Sequence, residues 1–225
     1  MIIRFLSGAA VGLLCSLLSF FLAEKLLQRR GHELCIGKTE KWLFPVCMAL
    51  GGAGIVVVSG LSVAGFYYFL LLFIGGTLSL TDIHFRIIPN DLLIALLATA
   101  LIFGIPRLLG QEAFPAFRLG SSLAGLAVCF IIFMLPAALS KKIGAGDVKL
   151  AASMGFALGF QSSLLAITLM GVLILCFTFL QRKAPSVKFI KTMIPLGPFI
   201  AVVMVAVPLL LQYSGSAKLA AVFSF

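Results

Sequence analysis

The sequence predicts an all-α protein: a polytopic bundle of about eight transmembrane helices that forms one membrane domain over residues 1–225, with both termini outside. The first observation behind this prediction is the composition. Hydrophobic residues make up 62% of the chain and charged residues only 11%, whereas a soluble domain is about half apolar and about a quarter charged. A water-soluble fold of this size could not bury so much apolar surface, so lipid must surround most of it.

The second observation is a series of apolar runs separated by short polar stretches. A helix needs about 20 mostly apolar residues to cross a bilayer. No cleavage site of small residues follows the first run, so we expect it to remain a helix and not to act as a signal peptide. The sixth run is short, and we expect it to thin the bilayer or to cross it only partly. The runs cover residues 2–23, 43–60, 62–80, 88–106, 119–139, 150–160, 164–181 and 195–213.

The third observation is the distribution of positive charge, which is +10 net. Lysine and arginine collect in cytoplasmic loops of membrane proteins. When the chain is threaded alternately, the predicted inside segments hold 13 of the 17 Lys and Arg residues, so the charge sets the orientation and does not indicate a nucleic-acid partner. The inside segments are 24–42, 81–87, 140–149 and 182–194, and the outside keeps Arg4, Arg107, Arg118 and Lys218.

Acidic residues are few, and three aspartates lie at predicted cytoplasmic ends of helices. Ionisable groups at membrane depth are expensive and mark functional sites by default. Asp82 follows the third run and Asp147 precedes the sixth. We interpret Asp91 as a helix-end residue without a catalytic role. The three glutamates of the 24–42 loop are expected to be solvated beside its lysines and arginines.

Asp82 and Asp147 are interpreted differently alone and as a pair. Alone, each has a structural explanation, and Asp147 would be a helix N-terminal charge that the helix dipole stabilises by about 0.3–1 kcal/mol. As a pair at one depth, the carboxylates could face each other and share a proton, because two of them in one low-dielectric site cannot readily both ionise. The ionised member would take a proton from water as the water attacks a peptide carbonyl. The protonated member would polarise that carbonyl and later protonate the leaving amine.

This chemistry needs no metal and no cofactor, and none is predicted. The glycines before Asp147 fit the same interpretation. Gly144 and Gly146 lack a Cβ atom and would leave room for the backbone of a substrate.

Three motifs resemble those of the type IV prepilin peptidases, which belong to the GxGD intramembrane aspartyl proteases. Residues 144–150, Gly-Ala-Gly-Asp-Val-Lys-Leu, resemble the GxGDxKL signature. Asp82 is separated by six residues from Pro89-Asn90, as in the Asp-x6-Pro-Asn/Asp element of that family. Residues 194–199, Ile-Pro-Leu-Gly-Pro-Phe, resemble its late P-x-G-P-F stretch. The three elements occur in the family's order over roughly the last two-thirds of the chain.

The resemblance implies a peptidase that removes the short basic leader from prepilins or pseudopilins with an apolar N-terminal helix. It implies an active site at the cytoplasmic face of the plasma (inner) membrane, with Asp82 and Asp147 as the catalytic pair. Membrane lipid is the other expected partner, and a homo-oligomer is left open. Substrate-binding or loop-shaping roles are implied for Gly144, Gly146, Lys149, Pro89, Asn90, Pro195, Gly197 and Pro198.

The region after the first helix departs from the long members of that family. Those members carry a cytoplasmic domain with two CxxC pairs, whereas the 24–42 loop here contains a lone Cys35. We therefore predict no zinc site and do not predict methylation of the new amino terminus, the usual second activity. The chain looks more like the reduced peptidases that serve Tad-type or other minimal pilus systems.

Other functions remain as alternatives. An archaeal preflagellin peptidase would differ mainly in its substrate. A presenilin or signal-peptide-peptidase type protease also uses GxGD, but Thr81 stands before Asp82 where that group has tyrosine. A proton-coupled transporter would place acids near mid-membrane. A purely structural protein of a secretion apparatus would leave the paired motifs unexplained.

Overall fold

The computed structural model describes residues 2–34, 36–108, 119–140, 144–183 and 195–214. Every regular element in these ranges is an α-helix, so the predicted all-α helical membrane bundle is confirmed. The helices are α1 (Ile2–Gln28), α2 (Lys38–Ser59), α3 (Val63–Phe85), α4 (Asn90–Leu108), α5 (Leu119–Ser140), α6 (Ala145–Leu158), α7 (Phe160–Lys183) and α8 (Gly197–Tyr213).

Five of these helices, α1, α2, α3, α5 and α7, are long and apolar enough to cross a membrane. The chain is therefore a multi-pass membrane protein. Helix α8 and the apolar part of α4 are shorter, and α6 has only 14 residues. The sixth helix is short, as expected, but it begins at Ala145 and not near residue 150. The placement of both termini outside stays a prediction.

Helix α3 lies at the centre of the bundle, where it packs against α1, α2, α4 and α8. Its first turn is capped by the Ser62 hydroxyl oxygen, which accepts a hydrogen bond of 3.2 Å from the Gly65 N–H, as is usual for an N-cap serine. Its end lies at Phe85, five residues beyond the predicted end of the third run. Asp82 therefore lies in the last turn of a central helix and not in a loop.

Small residues allow two helix pairs to approach closely. A Cβ atom on Gly52 of α2 would collide with the Gly8 carbonyl oxygen and would lie 2.8 Å from the Gly12 Cα of α1. A Cβ atom on Gly155 of α6 would likewise collide with the carbonyl oxygen of Gly125 in α5. Van der Waals packing of this kind replaces the hydrophobic drive between helices in lipid.

Helices α1 and α2 are antiparallel, since Gly8 faces Gly52 and Gly12 faces Met48. Helices α2 and α3 are antiparallel as well, since Glu40 at the start of α2 lies beside His84 at the end of α3. The end of α3 meets the beginnings of α2, α6 and α8, and we call this region the Asp82 end of the bundle. At the opposite end, the Ser59 hydroxyl donates a hydrogen bond of 2.8 Å to the Gln212 side-chain oxygen, which joins the ends of α2 and α8. The segments 109–118, 141–143 and 184–194, which carry part of the predicted charge pattern, lie outside the described residues.

Candidate active site

Asp82 is buried at the end of α3, with a residue exposure of only 3%. Its Oδ2 accepts a hydrogen bond of 2.7 Å from the backbone N–H of Gly197, the first residue of α8. The first N–H groups of a helix lack partners within the helix, and the helix dipole favours negative charge there. The start of α8 therefore supplies both a donor and a favourable field to the ionised form of Asp82.

Gly197 allows this contact because it has no side chain. A Cβ atom at this position would lie 2.8 Å from both the Cβ and the Oδ2 of Asp82, closer than non-bonded atoms pack. Any other residue would push α8 or Asp82 aside. The glycine of the third motif is thus explained by the aspartate of the second.

Asp147 lies half-buried in the first turn of α6. Its Oδ2 accepts a hydrogen bond of 3.2 Å from the N–H of Gly144, the residue that caps the helix. Asp147 thus has the structural role that the sequence suggested for it alone, as a negative charge at a helix N-terminus. This capping also fixes the direction of its carboxylate.

The two aspartates also interact electrostatically. Burial and, second, the negative charge of Asp82 raise the pKa of Asp147 to about 6, while the hydrogen bond from Gly144 acts in the opposite direction. Burial disfavours the charged form of a carboxyl group, and a like charge nearby does the same. The two predicted catalytic residues therefore lie close enough for the charge of Asp82 to act on Asp147.

The short segment after α3 packs against the turn that begins α6. A Cβ atom on Gly146 would lie 3.3 Å from the Cβ of Ile88, so the glycine makes room for this segment. The next residue, Pro89, is buried, and its carbonyl accepts a hydrogen bond of 3.1 Å from the Leu92 N–H at the start of α4. The six-residue spacing between Asp82 and Pro89 therefore spans the end of α3 and the turn into α4.

The remaining predicted site residues lie farther from the chemistry. Asn90 and Lys149 are exposed, and no ion pair between Lys149 and either aspartate occurs among the residues that the structure describes. Pro195 and Pro198 are half-buried around the start of α8. Asp91 is exposed in the first turn of α4, in agreement with its interpretation as a helix-end residue.

One contact at the Asp82 end was not predicted. Glu40, at the start of α2, was expected to be solvated beside basic residues, but its Oε2 lies 3.2 Å from the Nε2 of His84. The distance suits an ion pair, but the pair lacks the alignment of a hydrogen bond, and Nε2 is buried without a hydrogen-bond partner. One feature of the sequence indicates that Glu40 lies at the start of a helix. Glu40 follows Gly37 by three residues, a spacing typical of a helix cap.

This arrangement suits general acid and base chemistry without requiring any other group. One carboxylate is buried but accepts a hydrogen bond from a helix N-terminus, which offsets part of the cost of its charge. The other has a pKa of about 6, close to neutrality. No group of three or more His, Cys, Asp or Glu residues that could hold a metal ion occurs in the described part of the chain. Cys35 lies outside the described residues.

Comparison with known proteins gives one match, to a family model. The profile of the type IV leader peptidase family matches residues 66–179, which is half of the chain and includes both aspartates. Searches of curated proteins and of solved structures found no significant match. The multi-pass helical bundle and the family match make the chain a peptidase of the leader-peptidase type. The chain belongs to the type IV leader peptidase family.

Proposed function

We propose that the protein is an aspartyl endopeptidase that cleaves the short basic leader from type IV prepilin-like proteins. The observation that carries this proposal is the coupling of two carboxylates, Asp82 and Asp147, at one end of the bundle. Aspartyl proteases divide the work between one ionised and one protonated carboxyl group, which requires that the two groups differ in pKa.

The surroundings of the two side chains favour a particular division of roles. Asp82 accepts a short hydrogen bond of 2.7 Å from the start of α8, which stabilises its anion. Asp147 has a pKa raised to about 6 by burial and by the charge of Asp82. We therefore assign the ionised state to Asp82 and the protonated state to Asp147.

The reaction follows from these protonation states. Asp82 accepts a proton from a water molecule, whose oxygen attacks the carbonyl carbon of the scissile peptide bond. The Asp147 O–H polarises the carbonyl oxygen and then transfers its proton to the leaving nitrogen as the C–N bond breaks. The proton held by Asp82 passes to Asp147, and the starting state is restored with a carboxylic acid and an amine as products.

The proposed location is the cytoplasmic face of the plasma (inner) membrane. Helix α1 ends in the basic 24–42 segment, next to the beginning of α2 at the Asp82 end, and basic segments remain cytoplasmic. A substrate with an apolar helix would occupy the lipid beside the bundle. Its basic leader would remain in water at the depth of Asp82 and Asp147.

A proton-coupled transporter is less well supported. Proton relays use acids within the span, whereas Asp82 lies in the last turn of α3 and Asp147 in the first turn of α6. Preflagellin and signal-peptide-peptidase-like proteases would use the same pair, so a panel of substrates separates them.

The test is a cleavage assay with purified protein in detergent and in liposomes, using a tagged prepilin and a signal peptide as substrates. Asp82→Asn and Asp147→Asn should each abolish leader removal while the protein still folds, and wild type should leave the signal peptide intact. Asp91→Asn is the matched control, since this exposed aspartate also lies in the first turn of a helix. Full cleavage by either active-site variant would refute the aspartyl mechanism.

A further inference from the structure

The segment between α1 and α2 and the first turn of α2 each contact the last turn of α3. The His32 ring lies on Phe85, with 4.8 Å between ring centroids. The Glu40 carboxylate lies 3.2 Å from the Nε2 of His84. Both contacts involve residues within three positions of Asp82, so they act on the turn that carries the candidate base.

Glu40 is itself held in place. Its Oε2 accepts a hydrogen bond of 3.1 Å from the N–H of Gly37, which ties the side chain to the residue before α2. The carboxylate is about a third exposed and the His84 side chain only 15% exposed. Glu40 therefore connects the start of α2 to a largely buried ring on α3.

The last turn of a helix is its weakest part. Helix ends fray, because the final carbonyl groups lack partners within the helix. Helix α3 ends in a strained way: Arg86 adopts a left-handed conformation with φ 54°, which is uncommon for a residue with a side chain. Its N–H still donates a hydrogen bond of 2.9 Å to the Asp82 carbonyl oxygen. Side-chain contacts from another element would keep this turn formed.

We infer that Glu40 and His84 are positioning residues, which hold the last turn of α3 so that Asp82 stays aimed at the start of α8. This inference rests on the proposed function and extends the catalytic apparatus to α2, outside the segment matched by the family profile. A small displacement of a catalytic group can cost about 100-fold in rate. The contact should therefore affect turnover more than substrate binding.

Neutral substitutions of similar shape separate the contact from general packing. Glu40→Gln keeps an oxygen that can accept from Gly37 but loses the charge, and His84→Phe keeps a ring but loses Nε2. His84→Gln is the conservative variant, because its amide nitrogen lies near the position of Nε2. Glu33→Gln is the matched control, since it removes one exposed negative charge from the segment just before α2.

The experiment measures kcat and KM for prepilin cleavage by the full-length protein, with folded protein quantified for each variant. Glu40→Gln and His84→Phe should each lower kcat about tenfold with KM changed less than twofold. The double variant should be no slower than the slower single variant, because both act through one contact. His84→Gln should retain most of the wild-type kcat, and Glu33→Gln all of it.

Other outcomes would overturn the inference in distinguishable ways. A higher KM with unchanged kcat for Glu40→Gln would make Glu40 a binding residue for the basic leader. Multiplying effects in the double variant would mean that Glu40 and His84 act separately. Unchanged kinetics would refute the positioning role while leaving the proposed function intact. A wild-type protein that cleaves no prepilin would refute the proposed function and this inference together.

Discussion

The backbone N–H of Gly197 donates a hydrogen bond of 2.7 Å to the Oδ2 of Asp82, and no Cβ atom fits between the two residues. This relationship joins two motifs that are 115 residues apart in the sequence. It places an ionisable group of the central helix against the N-terminus of α8. This contact and the nearby Asp147 are the basis of the first three predictions.

The first prediction concerns Gly197→Ala. Its Cβ atom would lie 2.8 Å from the Cβ and Oδ2 of Asp82, so α8 or the carboxylate must move. We expect kcat for leader cleavage to fall about 100-fold, as for other small displacements of catalytic groups. Gly171→Ala is the control, because an added Cβ there meets no atom within 4 Å. A Gly197→Ala protein with wild-type kcat would show that the contact is dispensable.

The second prediction is the pH dependence of activity. The mechanism needs Asp147 protonated, and its pKa is about 6. The value of kcat/KM should therefore fall as pH rises through about 6 and approach a tenfold loss for each further pH unit. Initial rates between pH 4.5 and about 8.5 at low substrate concentration measure this decrease in kcat/KM. A flat profile across this range would contradict the assigned protonation of Asp147.

The third prediction is that Asp147→Asn, which should abolish activity, also raises the stability of the protein. The folded-state pKa of Asp147 is raised from 3.8 to about 6, so the fold favours the protonated form. The corresponding stability is present below pH 3.8 and is lost as pH rises through about 6. Asp147→Asn stays neutral, and at pH 8 it should unfold a few degrees above wild type. The difference should vanish near pH 4.

Thermal unfolding in detergent, followed by size-exclusion chromatography after heating, measures this difference. Asp91→Asn is the control, because this aspartate also lies in the first turn of a helix but is exposed. Equal stabilisation of both variants at pH 8 would point to a general effect of net charge and would contradict the third prediction.

The fourth prediction concerns the packing of α1 on α2. Gly52→Ala would place a Cβ atom 2.8 Å from the Gly12 Cα and against the Gly8 carbonyl oxygen. The two helices must separate, and we expect the unfolding temperature to fall by several degrees, as for other overpacked sites. Gly54→Ala lies two residues away on the same helix and meets no atom within 4 Å. It should match or exceed the wild-type unfolding temperature, because alanine favours helix.

The sequence predicted the helical class and the two aspartates because both leave strong local signals. Apolar runs mark helices in lipid, and the motif around Asp147 is contiguous. The spacing from Asp82 to Pro89 can also be recognised in the sequence, since it spans only one helix end and one turn. What the spacing could not reveal is that α3 continues through residue 85, because Thr81 and Asp82 look polar enough to end an apolar run.

The contacts between distant residues were not predictable in the same way. The motif predicts a role for Gly197, but no pattern in the sequence indicates that α8 starts against Asp82. The contact between Glu40 and His84 depends on the angle between α2 and α3, which no local pattern encodes. Charges in a basic loop are usually solvated, so the pattern around Glu40 favoured the wrong environment for it.

The shortness of α6 has a geometric consequence. Fourteen residues extend about 21 Å, whereas the hydrocarbon layer is about 30 Å thick. Gly159 has a φ of 78° and separates α6 from α7. Since α6 begins at Ala145, any anchoring of its far end at the opposite surface would place Asp147 below the headgroups. Asp147 would then depend on the Gly144 N–H, 3.2 Å from its Oδ2, for the hydrogen bond that bulk water supplies at the surface.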